Sequence, residues 1–309
     1  MSRSGLRRLR LADSGGSIEL AQAHPFRFEF VPPPEDLRGL VNTYFLLHTD
    51  PGRIEEVMPA YSAQIFVFLR GTGAMHFAHG TQKGPGPVFI NAPLMEAAPF
   101  SLEGPVACVG ASLTHLGWAS IARQPVDEVH DTVLAPADLF APTTAGQLEK
   151  LGGHEANEMG DVVEKFSAVL REAAAPLRPL HATMIAGTTE WLSSAFSPPV
   201  EDLYKRLPLS ERQVQRLCKR YFGVPPTRLL KRFRAVRAAS LLAQDNLSDD
   251  VRDEVFAAYF DQSHLINDIR RYTGRTPRLL VDGPLVANTL DPSGHGPAAK
   301  PLRERLNSD

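Results

Sequence analysis

One short phrase is written twice in the last third of this chain. Residues 218–230 read C-K-R-Y-F-G-V-P-P-T-R-L-L and residues 269–280 read I-R-R-Y-T-G-R-T-P-R-L-L. At a constant offset of 51 residues, Arg220 matches Arg271, Tyr221 matches Tyr272, Gly223 matches Gly274 and Pro226 matches Pro277. Each copy ends a basic amphipathic helix, stops it at a glycine, and starts or blocks the next element with a proline. Two such units specify a tandem helix-turn-helix, a shape whose second helix fits the DNA major groove. The feature therefore points to double-stranded DNA as a partner.

Charge is distributed accordingly. The formal net charge is only −2, yet residues 1–199 carry 14 basic and 21 acidic side chains (−7) while residues 200–281 carry 16 and 10 (+6). Within 205–237 there are 11 basic residues against the single acid Glu211, an electrostatic footprint for a polyanion. The apolar runs, of which Gln64–Leu69 is typical, are far shorter than the roughly 20 residues a membrane helix needs, so no membrane association is expected. Arg3, Arg7, Arg8 and Arg10 precede Asp13 and Glu19 without an apolar stretch between, which reads as a disordered basic arm (residues 1–23) on a cytoplasmic protein. Cys108 and Cys218 alone make neither a disulfide framework nor a zinc site.

The chain reads as an α+β protein of two domains. Residues 24–114 hold short aromatic and β-branched runs (Phe26–Val31, Val41–Leu47, Gln64–Leu69, Ala74–Phe77, Val88–Ile90, Val106–Leu113) separated by Gly, Pro and Asp clusters, the pattern of a small barrel or sandwich. From 115 to 196 the period turns helical, with Val162, Val163, Phe166, Val169 and Leu170 at three- and four-residue steps, and Met184, Ile185, Thr188 and Leu192 near Trp191. Glu190 and Trp191 read as interface or core. Ser197-Pro198-Pro199 marks a boundary before an all-α domain at 197–281, and the tail 282–309 is expected to be disordered.

Inside 197–281, Val200, Leu203 and Tyr204 share a helix face, and Ser210-Glu211-Arg212-Gln213 is a capping box opening the next helix. There Val214, Leu217, Cys218 and Tyr221 point inward and Arg212, Gln215, Arg216 and Lys219 outward. Pro226 begins a longer helix ending near Asn246, with Leu229, Leu230, Phe233, Val236, Ser240 and Leu241 inward. Ser248 caps the next helix (Val251, Val255 and Ala258 inward), and Asp261 or Ser263 caps a last one with Leu265, Ile266 and Ile269 inward.

These residues resemble the DNA-binding domain of the AraC/XylS family of bacterial transcription regulators, over about residues 200–281. The second unit, Asp261-Gln262-Ser263-His264-Leu265 followed by Arg271-Tyr272-Thr273-Gly274-Arg275-Thr276-Pro277, carries the likeness. The resemblance implies two helix-turn-helix units joined by a long helix, both recognition helices on one face of the DNA, and activation or repression of transcription near promoters. It places base-reading positions on Arg212, Gln215 and Arg216 in the first unit and on Gln262, Ser263, His264 and Asn267 in the second. Lys219, Arg220, Arg270 and Arg271 come later on each helix, where phosphate contacts are expected. RNA polymerase and a second copy of the chain are the implied protein partners. Two departures stand out. Ala258-Tyr259 replaces the family's Gly-Phe, which is expected to displace or loosen the second turn, and Cys218 and Ile269 replace aromatic residues.

The N-terminal part resembles the family's small-barrel, cupin-like sensor domains more loosely, through Met58-Pro59-Ala60-Tyr61 and Arg70-Gly71. Such domains bind an effector, dimerise, or both. Tyr44, Tyr61, Gln64, Phe66, Phe68 and Arg70 are candidates to line an effector pocket of unknown ligand, because alternate ones share a strand face. No metal and no cofactor is expected: His76 and His79, three residues apart, fall on opposite strand faces. Two other readings stand beside the regulator: an enzyme on the barrel with a DNA-binding appendage, and a dimerising co-regulator whose second unit has degenerated. No nucleophile with a nearby base favours the enzyme.

Overall fold

The computed structural model describes residues 26–153, 159–244 and 247–280. The basic arm and the tail lie outside the described residues, and the long helix expected to end near Asn246 stops at Leu242, with Ala243 as its C-cap. The N-terminal part is one eight-stranded antiparallel sheet of β1 (Phe26–Val31), β2 (Val41–Thr49), β3 (Arg53–Met58), β4 (Gln64–Phe77), β5 (Gly80–Lys83), β6 (Val88–Asn91), β7 (Ala98–Leu113) and β8 (Val133–Leu134). Its spine is the β4–β7 pair, running from Gln64 opposite Ser112 to Met75 opposite Phe100. β2 and β6 flank one half of that spine; β3 and β5 flank the other. The sheet curls, so Phe residues from β1, β2, β4, β6 and β7 meet in one cluster. No ladder joins β1 to β8 among the described residues.

Two strand predictions are corrected. Gln64–Leu69 and Ala74–Phe77 are halves of the single strand β4, and Val106–Leu113 is the second half of β7. The Arg70-Gly71-Thr72-Gly73 stretch, which reads as a turn, is a bulged region inside β4, with register shifts at 68–70 and 70–72. Gly71 sits there at φ +78. β3 and β5 escaped notice because Arg53, Glu55, Glu56, Gln82 and Lys83 make them too polar for an apolar pattern.

Both sheet faces are buried, which is why Gln64–Leu69 shows no polar alternation. One face (Phe45, Phe66, Phe68, Phe89, Phe100) encloses the curl. The other (Tyr44, Ile65, Val67, Val109, Ala111) packs beneath α1 (His115–Ile121), α4 (Pro142–Glu149) and α5 (Met159–Ala173), through Trp118, Leu148 and Phe166. Two four-residue helices, α2 (Val126–Val129) and α3 (Pro136–Leu139), connect them.

The C-terminal part is all helix: α7 (Val200–Arg206), α8 (Glu211–Phe222), α9 (Pro226–Leu242), α10 (Asp249–Ala257) and α11 (Gln262–Thr273). α6 (Pro179–Leu192) precedes it but shares its core. Met184, Ile185, Trp191 and Leu192 pack with Leu203, Val214, Leu217, Cys218 and Leu229, and the Trp191 indole donates to Pro199 O at 2.8 Å. A second core joins Ala235, Val236, Ala239, Val255, Leu265 and Ile269 around α9, α10 and α11. Cys218 and Ile269, the two small replacements, are fully buried in these cores.

Candidate functional site

Both recognition helices are built as their sequence signals demand. In α8 the Ser210 hydroxyl faces the Gln213 amide at 3.4 Å while the Gln213 side chain accepts from Ser210 N at 2.9 Å. In α11 the Asp261 carboxylate accepts from His264 N at 2.8 Å. Gly223 (φ +82) and Gly274 (φ +75) end the two helices in the left-handed conformation, each accommodated without a Cβ. The repeat persists in side chains: the Arg220 guanidinium lies 5.9 Å from the Tyr221 ring centroid, and that of Arg271 lies 5.8 Å from the Tyr272 centroid.

The outward residues are where the sequence placed them. Arg212, Gln215, Arg216, Lys219 and Arg220 are exposed on α8, and Gln262, Ser263, His264, Asn267, Arg270 and Arg271 on α11. Among the described residues, Arg212, Arg216, Lys219 and Arg220 form no ion pair, so α8 presents four uncompensated cations. Gln215 donates to Tyr204 Oη at 3.3 Å.

The second unit is engaged differently. The Arg271 Nε donates to Glu96 Oε1 at 2.9 Å, and Arg275 pairs with Glu56. Backbone bonds run alongside: Ala97 N to Arg271 O at 3.0 Å and Ala60 N to Tyr272 O at 2.8 Å. A Cβ at Gly274 would stand 2.2 Å from Val57, and one at Gly223 would stand 2.4 Å from Met95 Sδ. The two repeated glycines are thus the points where both recognition helices abut the sheet domain. No sequence signal marked Glu56 or Glu96.

The altered second turn is intact. Ala258 ends α10 in the right-handed region (φ −75, ψ −4), so no positive φ is required. The Arg234 Nη1 donates to Ala258 O at 2.9 Å and its guanidinium lies 4.3 Å from the centroid of the buried Tyr259 ring. Asp268, 4% exposed, pairs with Lys231 at 3.0 Å and Arg234 at 3.8 Å, tying α11 to α9.

Inside the curled sheet is an apolar cavity of about 80 Å³, lined in part by Tyr61, Gln64, Phe66 and Phe68 as expected. Tyr44 and Arg70 do not line it. On β2 the residues in phase with the cavity are Thr43, Phe45 and Leu47, and Tyr44 points the other way, its hydroxyl 2.8 Å from Ser167 Oγ. Burial pushes the Tyr44 phenol up to about 12. Arg70 follows the first register shift of β4 and is exposed. His76 meets Thr81 at 2.9 Å and Ser101 at 3.0 Å, and His79 meets Gln82. Among the described residues no group of three or more His, Cys, Asp or Glu is placed to hold a metal ion, and no helix is long and apolar enough to cross a membrane. Burial raises both cysteine thiols far above their ordinary range.

A family model described as a helix-turn-helix domain matches residues 203–281. No curated protein sequence matches the chain. Among solved structures, ToxT from Vibrio cholerae is similar at 9% identity and a TM-score of 0.43, over 77% of this chain and 97% of that one. The AraC-like transcriptional activator CuxR is similar at 16% identity and a TM-score of 0.31, over 76% of this chain and 82% of that one. At these identities and scores neither assigns a role to any residue.

Proposed function

We propose that this chain, whose C-terminal part is a helix-turn-helix domain of the AraC type, is a sequence-specific DNA-binding transcription regulator. The observation that carries the reading is the face of α8, where Arg212, Arg216, Lys219 and Arg220 stand exposed without a carboxylate partner. Such a face draws phosphate and sets base-reading side chains in the major groove. In this reading Arg212, Gln215 and Arg216 read bases from α8, and Gln262, Ser263, His264 and Asn267 read them from α11. Lys219, Arg220, Arg270 and Arg271 hold phosphates. The two helices enter major-groove segments about one turn, roughly 34 Å, apart.

The finer parts of the proposal are a cytoplasmic homodimer, contact with RNA polymerase, domain limits at 24–196 and 197–281 with α6 lending its apolar face across that seam, and an effector in the sheet cavity against Tyr61, Gln64, Phe66 and Phe68. Selection of genomic DNA fragments on the full chain, beside the Arg212→Ala/Asn267→Ala double variant, tests the core of it. A motif of two short blocks about ten base pairs apart, lost in the variant, is the expected result. Equal enrichment by both proteins would refute the assignment of base readers. In the single variants, Arg212→Ala should cost about 1–3 kcal/mol and relax one base pair, whereas Arg220→Ala weakens all sequences alike.

A further inference from the structure

The residue just before the cap of each reader is apolar, and the two copies use it in opposite ways. Leu209 precedes the cap Ser210, and at the same offset of 51 residues Phe260 precedes the cap Asp261. Leu209 is half-buried and packs in one core with Val214 of α8, the staple that fixes how a chain enters a helix. Phe260 has the same opportunity against Leu265 and does not take it. Leu265 is buried without it, in the core around α9, α10 and α11. Phe260 stands 92% exposed, where the other exposed large apolar residues described reach 39–50%.

The ring leans along α11 towards the reading face. Its centroid lies 6.0 Å from that of His264, with the planes tilted by 56°. Asp261 accepts from His264 N at 2.8 Å and meets Nδ1 of the imidazole at 3.5 Å, which holds that ring beside the phenyl group. Gln262, Ser263 and Asn267 stand exposed on the same stretch of helix. Phe256 is 39% exposed but belongs to α10, whose surface carries Asp249, Asp250, Asp253 and Glu254 and so repels phosphate.

We propose that Phe260 is a base reader of the second unit, its ring packing on the 5-methyl group of a thymine. The inference rests on the reading of α11 as a helix that lies in the major groove. In helix-turn-helix proteins the N-terminal residues of that helix meet base edges. A phenyl ring offers no donor or acceptor, and the apolar feature of a major-groove edge is the thymine methyl. Covering both groups removes apolar surface from water, which supplies the gain in affinity. The position that staples the first reader to its own core is thus released in the second to meet DNA.

Genomic fragments are selected on the full chain, and the enriched site is resynthesised with each thymine replaced in turn by deoxyuridine. The exchange removes the methyl group and leaves every hydrogen-bonding atom in place. Anisotropy titrations then compare the wild type, Phe260→Ala and Phe256→Ala on each DNA. At one thymine the wild type should lose affinity roughly fourfold, the worth of one buried methylene-sized group. Phe260→Ala should bind the thymine site more weakly by at least a similar factor and be indifferent to the exchange at that position. Its salt dependence should stay that of the wild type, because no phosphate contact is lost. Phe256→Ala should behave as the wild type does. The inference is overturned if no single exchange affects the wild type, or if Phe260→Ala keeps the loss, which would leave the ring to a protein contact. It is overturned too if Phe256→Ala abolishes the loss, or if Phe260→Ala unfolds well below the wild-type temperature, since the ring would then serve the fold. Enrichment of no site by the wild type refutes the DNA-reading proposal and this inference with it, whereas an enriched site indifferent to every exchange refutes this inference alone.

Discussion

His115 shows how much one side chain can say about pH. Its ring lies 4.3 Å from that of Phe222 and its Nε2 has no partner, and burial, helped by the nearby Arg232 charge, depresses its pKa from 6.5 to about 3. Between those two values the unfolded chain holds a proton that the folded chain does not. Stability therefore falls as pH drops from 6.5 towards 3, by up to about 1.4 kcal/mol per pH unit from this group. Urea midpoints measured from pH 7 to pH 4 should slope less steeply in His115→Gln than in the wild type; parallel slopes would contradict the assignment. At this scale sequence reading was good at phase and poor at sign. The two-residue period groups Gln64, Phe66 and Phe68 on one face, but it cannot say which face of β2 turns inward, and Tyr44 lies on the face away from the cavity.

Among the elements, the turn between α10 and α11 is the instructive case. Alanine where a glycine is usual reads as a weakened turn only if the turn needs a positive φ, and Ala258 avoids one. What holds it is Arg234, on a different helix and 24 positions earlier, through the Ala258 carbonyl, the Tyr259 ring and Asp268. Replacing Arg234 with Met should cost about 1–3 kcal/mol by denaturant unfolding, because it leaves the part-buried Ala258 carbonyl and one oxygen of the buried Asp268 carboxylate unserved. An unchanged midpoint would show the turn to be self-sufficient. Helix starts and glycine stops were legible, since they are local signals: Ser210, Gly223, Pro226, Ser248, Asp261 and Gly274 all act where the sequence placed them, whereas α9, which has no glycine stop, ends at Leu242 and not near Asn246. Strand limits were less so, because a glycine-rich bulge and a glycine-rich turn have the same composition.

Across the whole molecule, the sheet domain holds the second reader by its end. The Arg271–Glu96 pair is half exposed on both sides, so it is worth at most about 1 kcal/mol. Glu96→Gln should therefore raise DNA affinity by no more than roughly fivefold while steepening the salt dependence by about one phosphate contact. Fluorescence anisotropy on an operator between 50 and 200 mM salt measures both quantities; weaker binding by the variant would contradict the competition between Glu96 and phosphate. The stronger hold is the pair of backbone hydrogen bonds from Ala60 and Ala97, with Gly274 seated against Val57. None of this docking was legible, because a glutamate 175 residues from its arginine leaves no local pattern. The Met58-Pro59-Ala60-Tyr61 stretch did stand out, and it proves to face both ways. Met58 and Tyr61 wall the sheet cavity, while Ala60 packs with the core of the second reader.

The shared core of α6 and α8 bears on how this chain divides. A proteolytic or recombinant piece beginning at the Ser197-Pro198-Pro199 hinge would look complete in sequence, since every helix of both readers follows it. It would nevertheless lack Met184, Ile185, Trp191 and Leu192, and so present Leu203, Leu217 and Leu229 to water. A piece that begins at Pro179, eighteen residues upstream of the visible seam, restores those four side chains and still leaves open the place that Ala119 of α1 fills in the same core.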